Sequence, residues 1–225
     1  MDKINRNVLN SCFETMIYLI GSPPKCGKTT LSKKITKDYQ IPWVSADTLQ
    51  CIALAYIDKK EHNEKFPTRT QGREGNDEKY NDYSSKEIID AYIKQGRTSY
   101  DATDMFAISE ITEGNDYSIE GYQVTPELAK NLIDKYGKDK IKPIFLTKHD
   151  KQLLIENFEK STTPNDWILT GTKDKKTIFP KIANMISEYS KYFEEEAKKH
   201  GFKVFNMDHD FNHKLKEAVE YLGIA

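Results

Sequence analysis

The sequence predicts an α/β fold: a mostly parallel five-stranded sheet with helices on both faces. Three observations carry that reading. Short apolar runs alternate with amphipathic stretches along the whole 225 residues, the pattern of strands joined by crossover helices. The longest run, Met16-Ile17-Tyr18-Leu19-Ile20, is strand-sized and far below the ~20 residues of a membrane span. Finally, 13 Tyr, 10 Phe and 2 Trp offset a charged content of 31% and supply a core, which argues against global disorder. We expect one domain over residues 1–225.

The elements follow in order. Residues 15–21 read as the first strand, ending in Gly21. Leu31, Ile35 and Tyr39 recur at helical spacing, so a helix runs from Thr29 to Tyr39. Ile41 to Ala46 is a second short strand. Asp47 is placed to cap the next helix, which carries Leu49, Ile52, Ala53 and Tyr56. From Asp58 to Tyr83 the sequence turns polar, with Pro67, Gly72 and Gly75, and reads as an excursion or mobile loop. Ser84 and Glu87 have capping-box spacing, which starts a helix through Ile88, Ile89 and Tyr92. Residues 98–112 are helical again.

Tyr117 to Gly121 is the third strand, with Glu120 near its carboxyl end. Thr125-Pro126-Glu127 combines a cap, Pro at the first helical position and an acid in the first turn. Lys142 to Thr147 is the fourth strand, and a helix over 150–160 turns Leu153, Leu154 and Phe158 inward. Residues 161–176 are polar. A long amphipathic helix from about Phe179 to Lys199 buries Ile182, Met185, Ile186, Tyr189 and Phe193. Phe202 to Asn206 is the fifth strand, and residues 211–222 form the last helix.

Composition removes several function classes. Lys and Arg number 34 against 35 Asp and Glu, a net charge of -1, so a strongly basic nucleic-acid binder is disfavoured. The amino terminus lacks the apolar core and cleavage pattern of a secretory signal. Cys12, Cys26 and Cys51 are odd in number and lack metal-ligand spacing, which fits free thiols in a reducing cytoplasm.

The sharpest local signal is Ser22-Pro23-Pro24-Lys25-Cys26-Gly27-Lys28-Thr29-Thr30, lying between a strand and a helix. Backbone N–H groups of such a loop carry partial positive charge toward phosphate oxygens. Gly27 permits close backbone approach, Lys28 reaches the β- and γ-phosphates, and Thr29 offers a hydroxyl to Mg²⁺. This is a P-loop motif with one departure, because the position of the first glycine is taken by Ser22, with Gly21 one residue earlier. The expected architecture is the three-layer P-loop NTPase sandwich. An Asn-Lys-x-Asp base reader, which regulatory GTPases require, is absent from the sequence.

The chain resembles P-loop kinases of the adenylate-kinase-like and small-molecule phosphotransferase group, including zeta-toxin, chloramphenicol-phosphotransferase and 2-phosphoglycerate-kinase-like members. The resemblance spans roughly residues 15–222 and rests on the loop, on Val44-Ser45-Ala46-Asp47 and on Glu120-Gly121-Tyr122-Gln123-Val124-Thr125-Pro126. It implies an enzyme using ATP and Mg²⁺, with an acceptor-binding excursion over about 58–97 and a lid over about 161–177. It implies that Asp47 meets the acceptor hydroxyl and that Glu120 supports the metal with Thr29, and it places Asn206-Met207-Asp208 beside the adenine. Asp47 also reads as a helix cap, and Glu120 as a solvated strand-end acid.

No arginine follows residue 97, so Lys160, Lys173, Lys175 and Lys176 are the lid's available cations. Arg69, Arg73 and Arg97 either serve an anionic acceptor or form surface ion pairs. Cys26, near a helix N-terminus and Lys28, is expected to have a lowered pKa and to be alkylated with loss of nucleotide binding. His209, Asp210 and His213 read as a helix start or a sparse metal site. The leading function is a kinase acting on a small-molecule hydroxyl. The alternatives are a nucleotide kinase, a catalytically weak nucleotide-binding switch and a polynucleotide 5′-hydroxyl kinase, the last needing a basic channel.

Overall fold

The computed structural model describes residues 15–224, so Cys12 lies outside the described residues. Its elements are β1 (Ile17–Gly21), α1 (Lys28–Tyr39), β2 (Trp43–Ser45), α2 (Ala46–Tyr56), α3 (His62–Lys65), α4 (Asn76–Asp82), α5 (Ser85–Thr98), α6 (Tyr100–Glu113), β3 (Tyr117–Gly121), α7 (Pro126–Tyr136), β4 (Ile141–Thr147), α8 (Lys151–Glu159), α9 (Trp167–Thr170), α10 (Lys175–Lys199), β5 (Lys203–Asn206) and α11 (Phe211–Leu222). The strands form one parallel sheet in the order β2-β3-β1-β4-β5. Every residue of the central β1 is buried, as expected of a strand covered by helices on both faces. This is the three-layer α/β sandwich that the alternating pattern predicts.

Register sets the site. Ile20 pairs with Glu120 on one side and Ile144 on the other, and Ser45 pairs with Glu120. The carboxyl ends of β1, β2 and β3 therefore open at one level, where parallel α/β sheets bind ligands. Under them lies a core of Leu19, Leu31, Phe145, Ile182 and Phe193, all fully buried. Among the described residues, no helix is long and apolar enough to cross a membrane.

Several elements differ from expectation. Ser45, not Asp47, caps α2: its hydroxyl accepts from the Asp47 N–H. The shorter Ser side chain leaves the Asp47 carboxylate free of the cap. The stripe on α2 is not buried beyond Leu49, since Ile52 and Tyr56 face solvent. The excursion is no structureless loop. It folds into α3, α4 and helical turns at Lys59–Glu61 and Pro67–Arg69, because Phe66 and Tyr80 carry enough apolar surface to bury. The long helix α10 begins at Lys175, four residues before Phe179. Asp174 caps it by accepting from the Thr177 N–H, and Pro180 is carried inside.

Candidate active site

β1 delivers the phosphate loop into the crevice. A Cβ at Gly21 would lie 2.0 Å from the Val124 carbonyl oxygen, so only glycine lets the strand end pass this close. The loop's first position is filled by Ser22, which is buried and donates to the Pro23 carbonyl at 2.7 Å. Gly21 and Ser22 thus share the work of one glycine. Lys25 and Gly27 hold left-handed φ angles of 65° and 100°, which turn successive N–H groups toward one concavity. α1 then starts at Lys28 with no side-chain cap. Its first amides are left for an anion. Lys28 Nζ donates to the Pro23 carbonyl at 3.4 Å, folded back over the loop.

Cys26 corrects its expectation. Its thiol is fully buried against Ser190, and burial pushes its pKa up to about 11, against the pull of Lys28. The helix N-terminus and Lys28 cannot make a thiolate where water is excluded. Thr30 is exposed on the first turn and lines the same cleft as Thr29 and Lys33.

The carboxylates meet the loop from β3 and α2. Thr29 Oγ1 donates to Glu120 Oε1 at 3.0 Å. Glu120 is 2% exposed, and its Oε2 is buried without a hydrogen-bond partner. Burial raises its pKa, with Lys28 pulling the other way. A hard-oxygen pair of one hydroxyl and one carboxylate, with an orphaned oxygen, suits a Mg²⁺ ion that keeps most of its waters. Asp47 stands on the first turn of α2 and accepts from Gln123 Nε2 at 2.7 Å. Gln123 also donates to Gln50, and Tyr122 joins Gln50 to Gln95. Gln123 is thus a positioning partner that the sequence did not single out.

Three clefts surround these groups. One of about 340 Å³ is lined by Lys25, Gly27, Lys28, Thr29, Lys148 and Phe211. It continues past Lys148 and Phe211 into one of about 580 Å³ that reaches Leu153, Met207 and Asp208. Leu153, expected to face inward, instead half-covers this second cleft. A third of about 400 Å³ is lined by Lys28, Thr29, Asp47, Tyr92, Tyr122 and Trp167. A separate cavity near Thr15, Ile41 and Tyr117 sits at the amino ends of the strands, away from the loop, and has no comparable chemistry.

The segment expected to be a lid packs against the loop. Asp166 accepts from Lys25 Nζ at 2.5 Å, from Ser161 and from the Ile168 N–H. Burial pushes its carboxyl up, but Lys25 and Ser161 pull it below the usual range. Lid and excursion are also sewn together. Asn76 Nδ2 donates to the Trp167 carbonyl and the Thr172 hydroxyl, both at 2.9 Å, and Asp77 accepts from the Lys173 and Asp174 N–H groups, both at 2.8 Å.

The expected cations are elsewhere. Arg97 pairs with Glu127 at 2.9 Å on the surface. Arg73 donates to Asn63, and both Arg69 and Arg73 face solvent. None of the three lines a cleft beside the loop. Lys160 pairs with Glu156 on the surface, and Lys175 and Lys176 are exposed. A cation from outside the loop and α1 is Lys148, buried just after β4 and lining the loop cleft, its Nζ 5.5 Å from the Phe211 ring centroid. Phe211 in turn packs on Gly27, where a Cβ would lie 2.7 Å from its ring. His213 pairs with Glu217, and among the described residues no group of three metal-binding side chains converges.

No protein-family model matches the chain, and no curated protein matches it. Solved structures do. A shikimate kinase from Bacteroides thetaiotaomicron is 14% identical, with TM-score 0.52 over 92% of this chain and 98% of its own. A sugar kinase from Janibacter sp. HTCC2649 is 10% identical, with TM-score 0.50 over 94% and 96%. A gluconokinase from Sinorhizobium meliloti 1021 is 9% identical, with TM-score 0.50 over 94% and 93%. At these identities the likeness is one of fold.

Proposed function

We propose that the chain is an ATP- and Mg²⁺-dependent phosphotransferase acting on a hydroxyl of a small molecule, working in the cytoplasm. The carrying observation is that one crevice brings together an uncapped helix start with Lys28, the Thr29–Glu120 pair and the Gln123-held Asp47. The 340 Å³ cleft suits the phosphates, and the cleft by Leu153 and Met207 suits the base. The third, roofed by Trp167, suits the acceptor. That the structural neighbours include a shikimate kinase, a sugar kinase and a gluconokinase agrees with this reading.

The chemistry follows from the placement. Asp47 accepts the proton of the acceptor hydroxyl as its oxygen attacks the γ-phosphorus, and the bond to the β-phosphate oxygen breaks, releasing ADP. Gln123 orients the carboxylate by holding Oδ1, which leaves Oδ2 for the acceptor. Lys28 and the loop N–H groups stabilise the charge gathering on the phosphoryl oxygens. Thr29 and Glu120 would hold Mg²⁺, which neutralises phosphate charge when bound. A nucleotide kinase is less well supported, because among the described residues no arginine lines the acceptor cleft to clamp a second phosphate.

The test is thermal unfolding with ATP, GTP and ADP, with and without Mg²⁺, on wild type and Lys28→Ala. Nucleotide at a hundred times its Kd adds ~2.7 kcal/mol, which raises Tm by roughly 5–10 °C in a domain of this size. We expect that rise in wild type and its loss in Lys28→Ala. No rise with any nucleotide would sink the reading.

A further inference from the structure

The excursion's arginines face solvent, but one of its lysines does not. Lys79, on α4, is 7% exposed. Gly72 turns at φ 71° so tightly over its stem that a Cβ there would lie 2.5 Å from Lys79 Cβ. The ammonium lies over the ring of Tyr92, 4.7 Å from the centroid. Among the described residues no carboxylate lies within ion-pair distance of it, and no hydrogen-bond acceptor engages it. Tyr92 itself is a wall of the acceptor cleft, beside Asp47 and Tyr122. Tyr189, stacked on Tyr92 at 6.0 Å, keeps its hydroxyl buried without a partner.

This arrangement is one negative charge short. Taking an ammonium out of water costs more, even after relaxation, than an aromatic face returns. Burial alone accordingly lowers the Lys79 pKa to about 8. A structural lysine would turn its flexible stem outward to water, as Lys86 and Lys160 do. Lys79 is instead held under Gly72 and over a ring that walls the cleft.

We propose that Lys79 binds an anionic group, a carboxylate or a phosphate, on the acceptor whose hydroxyl faces Asp47. The assignment rests on the phosphotransferase reading and narrows its substrate class to hydroxylated acids or phosphorylated alcohols. A lysine suits either anion, because it is a point charge without a fixed fork. The same helix carries Asn76 and Asp77, the residues sewn to the lid, so an anion drawn onto Lys79 sits next to the seam that keeps the acceptor cleft roofed.

The experiment labels the native full chain with a limiting amount of acetic anhydride and reads each lysine by mass spectrometry, with and without Mg²⁺ and a non-hydrolysable ATP analogue. Acetate, inorganic phosphate and neutral ethylene glycol compete separately. Labelling of Lys79 should fall about threefold at an anion concentration twice its Kd, the occupancy that mass action sets. Exposed Lys86 should be unaffected, and ethylene glycol should not protect. Protection by acetate alone assigns a carboxylate, and by phosphate alone a phosphorylated acceptor. Equal labelling under all conditions would overturn the assignment. So would protection by the neutral diol, or a Lys79 that never labels and is therefore sealed in the core. Failure of the nucleotide to bind would instead strike the phosphotransferase reading, since the labelling of Lys79 without nucleotide is read independently.

Discussion

Replacing Lys79 by Met should make the ligand-free protein more stable, and the size of the gain follows from its lowered pKa. Methionine keeps the volume and length of the stem and removes the charge. Lys79 falls from its ordinary 10.5 to about 8 on burial, which corresponds to roughly 3 kcal/mol of penalty on the native state at neutral pH. Between pH 8 and 10.5 the unfolded chain holds more protons at this site than the native one does. Stability contributed by this site therefore rises with pH across that window. The penalty is fully present below about pH 8 and disappears above the unfolded value. The phenol beneath the ammonium, Tyr92, is itself pushed upward by burial, so it stays neutral across the same window. Allowing for lost cation–π attraction, the gain in Lys79→Met should be about 1–3 kcal/mol at pH 7, or roughly 3–10 °C in Tm. Urea unfolding of both proteins at a series of pH values measures it. The gap should close as pH approaches the unfolded lysine value. A variant no more stable than wild type at pH 7, with a gap that ignores pH, would refute the argument that the ammonium is uncompensated.

Three further outcomes are expected. Asp47→Asn should lower acceptor-dependent ADP release by about 10²–10⁴-fold while leaving the nucleotide-induced Tm rise intact; equal turnover would remove Asp47 from the chemistry. Iodoacetamide should alkylate Cys51, which is exposed, and leave Cys26 untouched in the native protein, since its thiol is buried and pushed up to about 11; peptide mapping reads the difference, and rapid native modification of Cys26 would contradict the packing against Ser190. Gly21→Ala should cost about 1–3 kcal/mol or more by denaturant unfolding, because its Cβ would meet the Val124 carbonyl at 2.0 Å; a neutral substitution would show that the loop entry relaxes.

The fold was legible because its signals are local. β1 is an unbroken apolar run, α7 begins with Thr125 and Pro126, and α5 opens with the Ser84–Glu87 capping box, which forms as its spacing predicts. The loop was legible for the same reason, being a contiguous segment between a strand and a helix. Errors arose where the outcome depends on distant partners. Polarity made residues 58–83 read as an excursion or mobile loop, yet Phe66 and Tyr80 are buried where α5 and α10 pack on this segment. Ser45 took the cap from Asp47 because the helix starts at Ala46, two residues earlier than an Asp47 cap implies, a boundary that propensity does not resolve.

By itself the sequence determined the order of elements, the parallel sheet and the position of the phosphate loop, because hydrophobic period and turn chemistry act over a few residues. Only the tertiary structure decided the charges. It buried Cys26 beside Ser190, sent Arg69, Arg73 and Arg97 to the surface, and brought Lys148 to the loop and Lys79 to Tyr92. The cost or benefit of a charge depends on the water and counter-charges around it, and those are supplied by residues tens of positions away in the chain.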